Sequence, residues 1–318
     1  MASKVTVIGT GNFGSTVAFI LAMRGSCHEV VLRGRNINIA KGKALDMSQA
    51  ANAAREHTIV RAAETAEDMA GSEIVVITAG APRTPGMNRD DLLVKNAEIV
   101  KGYALEIKKH APNAIVVVVS NPLDVMTYVV HKYTGFPRER ILGMAGILDS
   151  ARMAHFIYEK LGYGAGQIRA TVMGGHGDTM VPLPKFTTVA GVPIADLLDS
   201  EEIGEVVQKT RDGGAQIVNL LGNGSAYYAP AKSTAVMVDA ILKDTKQIHS
   251  CAVLLKGEYG YSGVVSGVPV MIGAAGAEKV IEMSLNDLQK TRFKNSVASV
   301  QEMIDALCAT RFFEDCKE

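Results

Sequence analysis

The sequence predicts an α/β protein in two parts: an N-terminal doubly wound parallel-sheet domain over residues 1–145 and a C-terminal mixed α+β substrate domain over 146–318. Three observations predict it. Short β-branched runs alternate with helix-period segments up to about Met144, the pattern of a parallel sheet with crossover helices. The first of these runs ends in Gly9-Thr10-Gly11-Asn12-Phe13-Gly14, directly before a helical pattern. Beyond 145 the alternation stops, and long helices are interrupted by isolated strand-like stretches.

Taken in order, residues 4–8 read as the first strand. Gly9 and Gly11 allow a tight turn and close backbone approach to a pyrophosphate. Gly14 permits close helix–strand packing, and the helix start at Asn12 and Phe13 offers free N–H groups and positive potential. Such a glycine spacing is weak by itself. Placed between a strand and a helix, it becomes a dinucleotide-binding signal of the Rossmann type.

The second strand, 29–33, is where an acid roughly 20 residues past the glycines hydrogen-bonds an adenosine ribose. Here the chain reads Leu32-Arg33-Gly34-Arg35-Asn36. Gly34 stands in the acid's place, flanked by Arg33 and Arg35, with Asn36 closing the turn. An anion that repels a ribose 2′-phosphate is gone and two cations that attract one are present, so NADP is the expected cofactor and NAD the less favoured one. Read without a ligand, the turn is a solvated basic loop.

A helix over 37–53, a strand near 58–61, a short helical piece ending at Gly71 and an apolar strand over 73–78 follow. Residues 79–91 are rich in Pro and Gly and carry Arg83 and Arg89, the pattern of a flap bringing cations to an anion. A helix over 92–110 returns the chain to 114–119, an apolar run suited to burial on both faces of a parallel sheet. It ends in Ser120-Asn121-Pro122, which puts Asn121 at the carboxyl edge where open α/β sheets bind ligands. Asn96, Ser120 and Asn121 complete the expected cofactor-binding set. In the second part, helices are expected near 201–221, 225–242 and 285–308, and strands near 251–255 and 264–271. No repeat or linker separates the halves, so they should share an extensive interface whose cleft takes the substrate.

An apolar run over 168–173 leads into Met173-Gly174-Gly175-His176-Gly177-Asp178, which sets an imidazole among glycines where a small ligand can reach it. Such a base needs an anion to fix its tautomer, and Asp149 in Leu148-Asp149-Ser150-Ala151-Arg152 is the candidate. Three residues on, Arg152 shares a helix face with Asp149 and offers a bidentate grip on a carboxylate. Each stretch alone reads as ordinary structure; together they outline acid–base catalysis.

Composition bounds the rest. Lys plus Arg and Asp plus Glu number 33 each, leaving no global field for nucleic acid or a membrane surface. Cys27, Cys251, Cys308 and Cys316 lack C-x-x-C spacing and read as bystanders in a reducing compartment. With no signal segment read at the start, the cytoplasm is the expected location. The ligand-type residues lack metal-site spacing, so no metal is expected.

These motifs, together with Ala81-Pro82-Arg83-Thr84-Pro85-Gly86-Met87-Asn88-Arg89-Asp90-Asp91-Leu92 and Val119-Ser120-Asn121-Pro122-Leu123-Asp124, resemble the lactate/malate dehydrogenase family over nearly the whole chain. In that family arginine at the Arg83 position marks the malate branch and glutamine the lactate branch. The resemblance therefore implies reversible hydride transfer between malate and oxaloacetate, a tricarboxylic acid cycle reaction, and a homodimer or homotetramer. It implies His176 and Asp149 as the catalytic pair, with Arg83, Arg89, Asn121 and Arg152 on the substrate. Most relatives have aspartate where this chain has Gly34; plant chloroplast relatives that use NADP have glycine, but carry terminal extensions with regulatory cysteines that this chain lacks. A lactate or other 2-hydroxyacid dehydrogenase would leave the Arg83 charge uncompensated against a methyl group. A catalytically silent NADP-binding protein would have no reason to keep His176, Asp149, Arg152 and Arg89 together.

Overall fold

The computed structural model describes residues 3–81, 89–222 and 224–313, with Arg89 described in its backbone alone. Six parallel strands, β1 (Lys4–Ile8), β2 (Glu29–Arg33), β3 (Ile59–Ala62), β4 (Ile74–Ile77), β5 (Ile115–Val118) and β6 (Ile141–Gly143), lie in the spatial order 3-2-1-4-5-6. The order reverses between β1 and β4, and there the carboxyl ends of the strands open a crevice. Helices α1 (Asn12–Met23), α2 (Ile37–Ala53), α3 (Arg89–His110) and α4 (Leu123–Thr134) make the crossovers. Every residue of β4 and β5 is buried, as a strand covered on both faces must be.

The second half begins with α5 (Gly146–Leu161) and continues through short strands β7 (Ile168–Arg169), β8 (Val172–Met173), β9 (Val181–Pro182), β10 (Thr188–Val189) and β11 (Val192–Pro193). Then come α6 (Ser200–Leu221), α7 (Tyr228–Leu242), β12 (Gln247–Lys256), β13 (Ser262–Gly273), β14 (Gly276–Val280) and α8 (Asp287–Ala309). Reciprocal side-chain caps start the two long helices, Asp199 with Glu202 on α6 and Asn286 with Gln289 on α8, and satisfy N–H groups the helix itself leaves unpaired. Among the described residues no helix is long and apolar enough to cross a membrane.

Four features depart from the sequence reading. The strand-like segments of the second half do not form a sheet of their own: β12 pairs antiparallel with β6 through Ala252 and Gly143, so β12, β13 and β14 extend the first sheet to nine strands. The apolar run 168–173 is two strands, because β7 pairs with β10 and β8 with β9 in separate small sheets. Helix α3 starts at Arg89, three residues before the expected 92, since Asp90 and Asp91 suit a helix N-terminus. The cysteines are not uniformly bystanders: Cys27 and Cys251 are buried free thiols, whereas Cys308 is disulfide-bonded, and Cys316 lies outside the described residues.

The junction between halves is tight at Gly143. A Cβ there would lie 2.6 Å from Leu123 Cδ2, 2.6 Å from Thr127 Oγ1 and 3.0 Å from Ala252 Cβ. Gly143→Ala should therefore force β12 or α4 to shift, costing about 1–3 kcal/mol of stability by overpacking. The measurement is the urea midpoint at unchanged m-value; an unmoved midpoint would show that the junction yields freely.

Candidate active site

The loop after β8 is held by three different elements at three successive residues. Gly174, at φ +85°, forms an isolated bridge to Gly267 of β13, with N–H···O distances of 2.7 and 3.1 Å. A Cβ on Gly267 would stand 2.4 Å from the Gly174 carbonyl oxygen, so the bridge needs glycine there. The Gly175 N–H donates to Ser296 Oγ of α8 at 2.8 Å, and the His176 N–H donates to Asp124 Oδ2 of α4 at 2.8 Å. With its backbone fixed, the His176 side chain is aimed by its own hydrogen bond.

That bond runs from Nδ1–H to Asp149 Oδ2 at 2.9 Å. Asp149 sits on the buried stripe of α5 with Met153 and Ile157, in place of the apolar residue that spacing calls for. Its second oxygen, Oδ1, accepts from Arg152 Nη1 at 3.2 Å one helical turn away. The sequence-predicted trio is thus assembled around one carboxylate. Since Nδ1 is committed to Asp149, Nε2 is the imidazole atom left for a substrate. The Arg152 Nε has no partner among the described residues, and Gly213 and Gly214 of α6 lie against its side chain, where added Cβ atoms would meet it at 3.7 and 3.5 Å. A guanidinium with free donors in a buried wall suits a carboxylate ligand.

Burial pulls the His176 imidazolium pKa down, but the Asp149 charge and hydrogen bond, with the Asp124 charge, more than offset it, so the net shift is upward from 6.5. Asp124 itself is fully buried, and desolvation pushes its carboxyl up to about 6. Neither Asp124 nor Ser296 was picked out from the sequence for a role at the site. The one legible signal for Asp124 is an acid in the first turn of a helix buried nearly all round; for Ser296 there is none.

On the cofactor side the glycine turn is built as expected. Gly9 has φ +113° and a Cβ on it would lie 2.3 Å from Thr78 Oγ1; one on Gly14 would lie 2.0 Å from the Gly9 carbonyl. Gly11 faces open space and α1 has no side-chain cap, which leaves the N–H groups of its first turn, at Asn12 and Phe13, to an anion. Lys43 of α2, which the sequence reading missed, donates to Thr10 O and Ser15 Oγ, both at 2.8 Å, and brings a cation against this turn. A cradle of this shape and charge fits the pyrophosphate of a dinucleotide.

Some of the other expected contact residues also hold partners within the protein, and some are exposed. Arg33 is held by Glu106 of α3 at 3.2 Å, whereas Arg35 is exposed with no ion pair among the described residues. Asn36 caps α2, its Oδ1 accepting from the N–H groups of Asn38 and Ile39 at 3.0 and 3.3 Å. Asn96 accepts from the Ala81 N–H and donates to the Asn121 carbonyl, both at 2.8 Å, so its side chain ties two backbone segments together. Ser120 donates to the Ala79 carbonyl, joining the ends of β4 and β5. Asn121, before a cis peptide to Pro122, is exposed at the sheet's carboxyl edge. Arg83 and the Arg89 side chain lie outside the described residues.

A family profile described as lactate/malate dehydrogenase, NAD binding domain, matches residues 3–143, and its companion, the alpha/beta C-terminal domain, matches 147–310. The chain is 63% identical over 311 residues to a malate dehydrogenase of Sulfurimonas denitrificans, covering 98% of each sequence. Among solved structures it superposes on a malate dehydrogenase from Salinibacter ruber with TM-score 0.93 at 44% identity, over 97% of this chain and 98% of that one. It superposes equally, TM-score 0.93 at 36% identity, on a lactate dehydrogenase from Cryptosporidium parvum complexed with lactic acid and nicotinamide adenine dinucleotide, over 96% of this chain and 98% of that one.

Removing the Asp149 charge tests the electrostatics directly. In Asp149→Asn burial acts on the imidazolium with far less opposition, so His176 should titrate at lower pH than in the parent protein. Histidine ring 15N resonances followed against pH measure this; an unmoved midpoint would show that Asp149 orients the ring without charging it.

Proposed function

Because the chain belongs to the lactate/malate dehydrogenase family along both of its domains, we propose that it is a malate dehydrogenase preferring NADP(H). The observation that carries the reaction is the His176–Asp149–Arg152 constellation around one buried carboxylate. A bound nicotinamide supplies the hydride acceptor or donor at C2 of the substrate. In oxidation His176 Nε2 takes the hydroxyl proton of malate, and Asp149 stabilises the imidazolium that forms. In reduction the same nitrogen returns the proton to the carbonyl oxygen of oxaloacetate. Arg152 holds the C1 carboxylate, and Arg89 polarises the substrate oxygen. Arg83 receives the distal carboxylate and Asn121 hydrogen-bonds the substrate oxygen or the nicotinamide ribose.

In this proposal residues 1–145 are the dinucleotide-binding domain and 146–318 the substrate domain. The reading extends to a homodimer or homotetramer: Leu45 on α2, with Leu220, Leu221 and Tyr228 at the α6–α7 junction, exposes apolar surface of the kind obligate interfaces cover. The NADP preference rests on Gly34 and Arg35. No carboxylate stands at the end of β2 to bind a bare ribose, and Arg35 is available to a 2′-phosphate.

One assay grid separates these readings from the lactate alternative: oxaloacetate and pyruvate, each with NADPH and NADH. The expected outcome is the highest kcat/KM for oxaloacetate with NADPH, and a turnover about 100- to 10,000-fold lower in His176→Asn at unchanged NADPH affinity. A preference for pyruvate would overturn the malate assignment.

The cofactor turn carries a further constraint. A Cβ on Gly34 would lie 2.6 Å from Thr10 Oγ1 and 2.7 Å from Thr10 Cγ2, so an acid cannot enter while Thr10 keeps its place. Gly34→Asp alone should therefore lose affinity for both cofactors, whereas Thr10→Ala with Gly34→Asp should move the NADPH/NADH preference at least about tenfold toward NADH, as one charge-assisted hydrogen bond implies. If the pair leaves the ratio unchanged at low salt, the turn does not read the 2′-position.

A further inference from the structure

The two loop N–H groups beside the catalytic imidazole are accepted by unlike partners. Gly175 donates to the neutral hydroxyl of Ser296, and His176 to the carboxylate of Asp124. A hydroxyl suffices to hold such a loop, as Ser296 shows one residue away. A fully buried carboxylate is the costlier choice, and its Oδ1 is buried without a partner among the described residues. Asp124 also lies in the first turn of α4, whose N-terminal potential favours a negative charge there.

We propose that Asp124 is a positioning residue for proton transfer: its carboxylate fixes the His176 backbone and supplies a second buried negative charge, besides Asp149, that stabilises the imidazolium. The proposal rests on the dehydrogenase reading for its kinetic consequence but not for its structural one. The charged groups facing the imidazole among the described residues are Asp149 and Arg152 from α5 and Asp124 from α4, while α8 presents the neutral Ser296. Those facing Asp124 are His176 and Asp149. Protonation of Asp124 near pH 6 removes its charge, so its support for the imidazolium is present above that pH and lost below it.

Asp124→Asn separates charge from tether, because the amide oxygen still accepts the His176 N–H. Oxaloacetate reduction needs protonated His176, so its kcat/KM falls as pH rises through the imidazolium pKa. In Asp124→Asn that falling limb should move to lower pH, leaving kcat/KM about tenfold below the parent on the limb. Asp124→Glu, which keeps the charge, should restore the limb's position. A limb that coincides with the parent's in Asp124→Asn overturns the proposal, whatever happens to thermal stability. The parent protein offers a test that needs neither variant nor turnover. The backbone amide of His176 should show two 15N–1H titration steps, one near pH 6 from its carboxylate acceptor and a higher one from its own ring. A single step following the ring alone overturns the proposal, and a parent with no oxaloacetate reductase activity would overturn the functional reading while leaving this titration intact.

Discussion

Everything at the site depends on the double use of Asp149. One buried carboxylate receives the imidazole on Oδ2 and the guanidinium on Oδ1, so the two side chains are set relative to each other by a single group. Neither cation would be stable in this wall without it, because an unpaired charge in so dry a place is expensive. With Asp124 ionised, the group of Asp124, Asp149, Arg152 and neutral His176 carries one net negative charge; protonating the imidazole brings it to zero. The protein interior thus favours proton uptake by the imidazole, the step that the proposed oxidation needs.

The backbone around this group has been built with little freedom. Bonds from β13, α8 and α4 reach Gly174, Gly175 and His176 in turn. Catalytic side chains on loops are usually less accurately placed than those on regular elements. Here the loop is tied to three regular elements at once, so the imidazole inherits their rigidity. A comparable division of labour holds at the sheet edge, where Asn96 and Ser120 secure the backbone and leave the Asn121 side chain exposed.

Features whose cause is local were readable in the sequence. The glycine turn, the strand before it and the helix after it are specified by neighbouring residues, and Asp149 with Arg152 by the three-residue spacing of a helix. What escaped was non-local. Nothing in residues 247–273 announces that they pair with β6, because a strand's sequence encodes its two faces and not its edge partner. Asn96 and Arg33 have partners of this kind as well, the Ala81 N–H 15 positions away and the Glu106 carboxylate 73 positions away, and nothing beside them in the sequence marks either one. Asp124 escaped for the same reason: its partner lies 52 positions away.

The shared sheet also has a history in time. The β6 edge made at residue 143 waits for β12, whose pairing residue is 252, more than a hundred positions later. On a nascent chain growing at about 5–20 residues per second, that edge stands open for roughly 5–20 seconds after the parallel sheet has begun to form. An uncovered strand edge in an apolar sheet is a template for another chain. The same continuity that later prevents the two halves from drifting apart makes this interval the one in which neighbouring nascent copies are most able to join edge to edge.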